Sequence, residues 1–327
     1  DGIRDQPRSR GLGDVYKRQI DARHPLLLDK YRVWPSYDFA VAIEDSIDGI
    51  THAFRSKEYE LRNELYYAIL DALNMRKPRM LEFSRLEFKG MPVSKRIIRP
   101  LMEKGKVSSL DDPRLPTLAA LLRRGITPEA IRKFTESLGF TKADTLAPFD
   151  SLEAFNRTII DKNSIRLFMV KEPKVLTINN LPNSVIELPN HPSNDLGTRQ
   201  VKIENGILLS SEDVKELEVG SQLRLMGLGN VKIKSIKSEI TGEFTDDDHN
   251  VNFRKVQWVS RKSAHKLKIL IPHQLFIDDE FNEGSLEEIH VYTEPHYLEL
   301  KEGTEIQFVR FGYCRKDSVN QAIFTHK

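Results

Sequence analysis

Trp34-Pro35-Ser36-Tyr37-Asp38-Phe39 leads into Asp48-Gly49-Ile50-Thr51-His52-Ala53-Phe54-Arg55-Ser56, and the reading of residues 34–56 decides the fold. Pro35 biases Trp34 toward extended backbone, because its ring clashes with a helical residue before it. Tyr37 to Ile43 reads as a helix turn or a short strand carrying apolar residues. Asp48-Gly49 is a turn signal between Ile47 and Ile50. Ile50 to Arg55 reads as a buried strand that ends in a charge. Open α/β sheets take ligands beyond the carboxyl ends of their strands, so a cation at that end is a candidate anion-binding group. The plainer reading is an arginine paired with Glu58 or Asp45.

Working outward, Glu58 to Asn74 has helical periodicity, and Leu61, Leu65, Ile69 and Leu73 are expected on one buried face. Met80 to Phe83 is the next expected strand. Together these make a βαβ unit and predict parallel-sheet architecture. One unit is too little for a nucleotide-binding sheet, so a further half is expected upstream. Upstream of the pattern, residues 1–19 are polar and basic, and they are expected to be a disordered or extraneous tail. Residues 111–170 read as helical. Leu118, Leu121 and Leu122 are expected on one face ahead of Arg123-Arg124-Gly125, and Thr127-Pro128 is expected to open a helix. From Lys174 onward, short runs such as Val175-Leu176-Thr177-Ile178, Gln222-Leu223-Arg224-Leu225 and Lys266-Leu267-Lys268-Ile269-Leu270 predict barrels or a sandwich.

Composition narrows the class. The 327 residues are 39% hydrophobic and 30% charged, as for a folded multidomain chain. Fifty Lys and Arg against 48 Asp and Glu leave a net charge of +2, so any nucleic-acid surface must be a local patch. Cys314 is the single cysteine, which excludes an intrachain disulfide and a cysteine-cluster metal site and fits a reducing cytoplasm. No apolar run reaches the length of a membrane span.

The words Trp34-Pro35-Ser36-Tyr37-Asp38-Phe39, Asp48-Gly49-Ile50-Thr51-His52, Phe83-Ser84-Arg85-Leu86, Val93-Ser94-Lys95-Arg96, Asp111-Asp112-Pro113-Arg114-Leu115-Pro116-Thr117 and Arg123-Arg124-Gly125 occur in this order. The chain they define resembles the glutamyl- and glutaminyl-tRNA synthetases of the archaeal–eukaryotic branch, from about residue 30 to the C-terminus. The resemblance implies a multidomain α/β plus all-β chain. Its parts are the second half of a class I Rossmann-type catalytic domain at 20–110, a helical stem-contact region at 111–173 and a two-barrel anticodon-binding domain at 174–327. It implies ATP-dependent activation of glutamate and transfer to tRNA(Glu), with ATP and its Mg²⁺ as substrate and no metal site in the chain. Glutaminyl specificity and a non-catalytic tRNA-binding module are the alternatives. The family's first signature, a His-Ile-Gly-His-type loop, does not occur in this sequence, so the chain alone is expected to be an inactive C-terminal part of the enzyme.

The resemblance also implies roles for single residues. Val93-Ser94-Lys95-Arg96 matches the second signature loop, in which Lys95 is the catalytic cation. Residues 85–99 carry five cations against one carboxylate, a net +4. Negative charge develops on phosphates during adenylate formation, and a mobile lysine stabilises it. Ser56, Arg85, Leu86, Val93, Ser94 and Lys95 match ATP contacts, and Tyr37 matches an amino-acid contact. Arg55 occupies the position that carries cysteine in glutaminyl enzymes. An arginine offers only donors, so it favours a carboxylate over an amide. Left unpaired in a buried site, it would itself ask for an anion. Arg114, Arg123 and Arg124 are candidates for tRNA phosphates, and Arg199 and Arg315 for anticodon bases.

Overall fold

The computed structural model describes residues 17–19, 23–31, 33–181, 185–203, 206–237, 239–248 and 252–327. The chain divides into two compact units, Asp1–Leu86 with Leu138–Thr145, and Glu87–Ser137 with Leu146–Lys327. Of the tail expected to be disordered, residues 1–16 lie outside the described residues. Lys17–Gln19 forms a short strand antiparallel to Val33–Pro35.

In the first unit, Tyr37–Ile47 is a helix, the first of the two readings its apolar residues left open. It ends where Gly49 takes φ +72°, a left-handed turn that glycine adopts without strain. Strand His52–Ser56 pairs in parallel with Arg79–Phe83, so the expected βαβ unit is present. The strand is buried on one side only: Ala53 and Arg55 point inward while Phe54 is exposed. The helical span begins as a tight 3₁₀ run, Lys57–Arg62, before the α-helix Asn63–Ala72. The 3₁₀ run advances at about 3.0 residues per turn rather than 3.6, which shifts the phase of the face. Leu61 is therefore 94% exposed and Leu73 is exposed too, and the buried face is Tyr66, Ile69 and Leu70. These pack with Ala42, Ala53 and Met80 as the core of the unit.

In the second unit, helices Leu118–Arg124, Pro128–Leu138 and Phe149–Ile160 make the helical region. Thr127 opens the second of them as expected, its hydroxyl accepting from Ala130 N at 3.2 Å. Leu118 and Leu122 are exposed, contrary to the expected face. Arg124 is buried instead, and the face that goes inward is Ala120, Leu121 and Arg124.

Two seven-stranded sheets follow. The first runs in the order Arg254–Val256, Gln222–Leu225, Gly229–Ile236, Ile240–Asp246, Pro173–Asn179, Ile207–Ser210, Val259–Ser260. Its two edge strands are separated in sequence only by Gln257-Trp258, so the sheet must curl until its edges meet. The second runs Ile165–Leu167, Glu305–Phe308, Gly312–Ser318, Gln321–His326, His265–Pro272, Leu286–Thr293, Met169–Lys171. Its edges are separated only by Phe168. Each sheet is thus a barrel closed at one short step of chain. The second barrel takes its edge strands from before residue 174, so the first barrel is inserted within the second.

The C-terminal strand seals the helical region through Asn156. Its side-chain oxygen accepts from Thr127 N at 2.9 Å, and its NH₂ serves Gly125 O at 2.9 Å and His326 Nε2 at 3.1 Å. With Nε2 accepting, the His326 proton sits on Nδ1, facing Lys327 O at 3.1 Å. Burial, with some help from the nearby Arg157 and Arg124 charges, lowers the His326 pKa from 6.5 to about 4. The unfolded chain therefore binds this proton between pH 6.5 and 4 while the folded chain resists it, and stability falls as pH falls through that window. We expect urea unfolding to show His326 contributing a loss of about 3 kcal/mol between pH 7 and pH 4. His326→Gln should flatten the profile by that amount; a profile of unchanged slope would show that carboxylate protonation alone drives the loss.

Candidate functional site

In the first unit, the Arg55 guanidinium is 8% exposed, because the inward face of its strand carries it into the core. Of the readings open for Arg55, pairing with Asp45 is the one found, so the arginine is not unpaired. Nη2 donates to Asp45 Oδ2 at 3.0 Å, and Asp45 lies in the last turn of helix Tyr37–Ile47. The same carboxylate oxygen accepts from Tyr66 OH at 3.0 Å. The guanidinium carbon lies 4.6 Å from the Tyr66 ring centroid and 5.7 Å from that of Tyr37. A ring face is the negative side of its quadrupole and holds a cation there. Burial, then the Asp45 contact, hold the Tyr66 phenol well above its ordinary value, so it stays a neutral donor.

Tyr37 lies at the mouth, 54% exposed, with its ring 5.6 Å from Tyr59. Arg62 lies over Tyr59 at 5.3 Å and donates to both oxygens of Asp38 at 3.0 and 2.9 Å. Sequence reasoning named Tyr37 and Arg55 as candidates, did not name their neighbours Tyr59 and Tyr66, and left Asp45 as one of two options. Tyr66 stands at i, i+3 and i+4 with Ile69 and Leu70 in the α-helix, and a face counted at i, i+4 from Leu61, which lies in the 3₁₀ run, passes over it. Ser56 ends the strand half-buried, and Arg85 is exposed and paired with Glu58.

In the second unit, Lys95 is the first residue of helix Lys95–Glu103. Ser94 holds the N-cap position with extended backbone, but its side chain accepts no capping bond. Val93, Ser94, Lys95 and Arg96 are all exposed, and Leu86 is half-buried. Among the described residues no carboxylate pairs with Lys95 or Arg96. A helix N-terminus is electropositive, so two cations in its first turn repel it, and an arriving anion relieves that repulsion. Ile98 anchors this helix in a cluster with Leu115, Ala120 and Leu275, and Phe276 and Phe281 pack against it. The signature helix therefore rests on the hairpin that extends from the second barrel.

The arginines expected to meet tRNA are placed differently from that expectation. Arg114 is buried. Its Nε and Nη2 grip Asp112 at 2.8 and 2.7 Å, and Nη1 reaches Ser285 Oγ at 3.0 Å. Arg123 forks onto Asp317 with both contacts at 3.0 Å. Arg124 is buried against Glu153 at 2.6 Å and Thr325 O at 3.1 Å. Arg315 donates to Gly303 O at 3.2 Å. Arg199, on strand Thr198–Lys202, is 4% exposed and forks onto Glu294, with Nη2 to Oε1 at 2.8 Å and Nε to Oε2. Its Nη1 donates to Pro189 O at 2.8 Å. As folded, Arg114, Arg124 and Arg199 spend their donors on protein, because each sits where two elements must be joined in the interior. A base or phosphate reaches them only by breaking these pairs.

Comparison with known proteins adds the following. The model of the catalytic domain of class I tRNA synthetases (E and Q) matches residues 12–162. Two anticodon-binding-domain models of the same class match residues 164–254 and 255–317, and their junction lies beside the Gln257-Trp258 step. A glutamate–tRNA ligase of Nitrosopumilus maritimus is 66% identical over 313 residues, 96% of this chain and 55% of that protein. One of Cenarchaeum symbiosum is 58% identical, covering 95% and 55%. A probable cytoplasmic glutamate–tRNA ligase of Encephalitozoon cuniculi is 35% identical, covering 92% and 50%. The chain spans about half the length of the curated relatives it matches.

The Arg199–Glu294 pair gives a direct test of the interior arrangement. Removing one partner leaves the other charge buried, which costs about 3–5 kcal/mol. Arg199→Met alone should lower urea-unfolding stability by about that much, and adding Glu294→Gln should recover part of it. A single variant as stable as the parent would show that the pair opens in solution.

Proposed function

The chain belongs to the class I tRNA synthetases of the E and Q type, and from that premise we propose that it is the tRNA-facing and amino-acid-selecting part of a cytoplasmic glutamate–tRNA ligase. The observation that carries the choice of amino acid is Arg55, buried at the end of a parallel strand beside Tyr37. Glutamate and glutamine share a shape and differ by one charge, and a guanidinium offers only donors. In the proposed reaction a glutamate α-carboxylate oxygen attacks the α-phosphorus of ATP, and pyrophosphate leaves as the α–β bridge breaks. A terminal ribose hydroxyl of the tRNA then attacks the adenylate carbonyl and releases AMP.

Tyr37 and Arg55 bind the amino acid in this reading. By their match to the family's words, Ser56, Arg85 and Leu86 of the first unit and Val93 and Ser94 of the second are each assigned a nucleotide contact, and Lys95 is assigned the developing phosphate charge. The uncapped helix start beneath Lys95 and Arg96 supports that assignment. In this reading Mg²⁺ arrives as the counter-ion of ATP. Cys314, a buried free thiol, fits the reducing cytoplasm. The two barrels hold the anticodon arm. Arg114, Arg123, Arg124, Arg199 and Arg315 act by shaping that surface, with Arg123 and Arg315 the ones left partly accessible. Because the chain spans about half of its relatives, a tRNA-binding module without activity of its own is the second reading.

Isotope exchange between ATP and pyrophosphate separates the two. We expect no exchange from the 327-residue chain alone and glutamate-dependent exchange from a fusion that supplies the remaining half of the Nitrosopumilus maritimus relative. In that fusion Arg55→Cys should cut glutamate activation by about 2–5 kcal/mol and move preference toward glutamine. Glutamate activation equal to the parent's would remove Arg55 from the site.

Filter binding tests the RNA-facing reading. The chain should bind tRNA(Glu) above an unrelated hairpin, with affinity falling steeply as salt rises, because each neutralised phosphate releases counterions. Equal affinity for the two RNAs would reject it.

A further inference from the structure

The Arg55 site contains a carboxylate that the proposed reaction does not use. Asp45 lies within hydrogen-bonding distance of Arg55, the cation proposed to take an anion, where a second negative charge would ordinarily compete with the ligand. Its other contact explains its presence. One oxygen, Oδ2, takes Nη2 of Arg55 and the Tyr66 hydroxyl, each at 3.0 Å. Tyr66 is fully buried, and its ring lies against the guanidinium at 4.6 Å. The arginine is therefore held by one corner and one face. Among the described residues no protein group accepts from its Nε or Nη1. Tyr37, the exposed aromatic of the set, lies on the same guanidinium at 5.7 Å.

We infer that Asp45 is a positioning residue for amino-acid selection: with Tyr66 it pins Arg55 through one Nη2 hydrogen and leaves a remaining edge of the guanidinium, the other Nη2 hydrogen with its neighbouring donor, for the carboxylate of a γ-carboxylate amino acid. The inference rests on the reading of Arg55 as the selecting group and adds what fixes its geometry. A free arginine loses rotamer entropy when it binds, whereas a pinned fork has already lost it. A bound carboxylate then meets a fixed fork. The net charge of the Arg55–Asp45 pair is zero, so selection comes from directed donors more than from overall attraction. An amide oxygen would occupy one donor, and its NH₂ would meet another donor, which is the mismatch that rejects glutamine.

The test has two arms. In the 327-residue chain, guanidinium ¹⁵N spectra report rotation about the Cζ–N bonds, and the Arg55 signals are assigned by their loss in Arg55→Lys. The parent should show two resolved Nη signals for Arg55, and Asp45→Asn should average them into one. If Asp45→Asn fails to fold by circular dichroism, Tyr66→Phe, which removes the second bond to Asp45, should broaden the pair. Resolved, unbroadened Nη signals in a folded variant overturn the inference. In the fusion enzyme, Asp45→Asn should raise the KM for glutamate about tenfold, the scale of one charge-assisted bond. The KM for ATP and kcat should stay within about twofold, and Asp45→Glu should restore part of the loss. An unchanged glutamate KM, or an equal change in both KM values, makes Asp45 a structural counter-ion and overturns the inference. A parent fusion that activates no glutamate rejects the functional reading, while the spectral arm still decides whether Asp45 pins Arg55.

Discussion

The larger unit depends on a constraint of sheet closure at two short steps of chain. One barrel passes from one edge to the other through Gln257-Trp258 and the other through Phe168. The steps meet: the Phe168 and Trp258 rings lie 6.3 Å apart, and Gln257 Oε1 takes Met169 N at 3.4 Å. A chain that leaves one edge strand and enters the other leaves backbone groups without ladder partners. Glu294 supplies one of them, accepting Phe168 N at 2.6 Å. That places a carboxylate inside the protein, and Arg199 neutralises it. The buried ion pair is thus a consequence of how the sheets close. A charge without its partner in that interior would be far more costly than the pair.

The same logic accounts for the arginines of the helical region. Arg114 holds Asp112, a backbone carbonyl at Lys106 and Ser285 together. Burial opposes ionisation of Asp112, but the bonds from Arg114 and Ser108 outweigh it and hold its carboxyl below the usual range. Arg123 and Arg124 tie one short helix to the second barrel through Asp317 and the Thr325 carbonyl. Planar guanidinium forks suit such joints, because one side chain satisfies several acceptors in fixed directions. A rigid mounting of the helices on the second barrel follows from contacts that themselves face inward.

In the smaller unit the energetics run the other way. Only one face of the Arg55 guanidinium and one of its corners are engaged, and the neighbouring aromatics range from the buried Tyr66 to the exposed Tyr37. A partly engaged cation keeps donors for a further partner, whereas a fully engaged one such as Arg199 is suited to holding. The number of donors already used, more than residue type or burial, separates the two roles among these arginines.

The order of short words and the change from mixed to strand-only patterning were enough to identify the family, the βαβ unit and the all-β second half, because local patterns of period two and turn residues record strands directly. Tyr37, Arg55 and Lys95 could be named as candidates for the same reason, since each sits in a word of fixed local sequence. The partners of those residues were not. Tyr66 lies eleven positions beyond Arg55, and its spacing with Ile69 and Leu70 marks a helical face without saying which strand residue that face meets. Leu61, Leu73, Leu118 and Leu122 carry the right spacing for burial and are exposed, because their helices are oriented by Tyr66 and Arg124 instead. Nor could the sequence say that Ile165–Leu167 and Met169–Lys171 belong to the sheet of residues 265–326. It determined which residues form strands and which words carry charge. Tertiary structure alone decided which charges meet, since an ion pair such as Arg199 with Glu294 depends on distance in space and leaves no periodic mark along the chain.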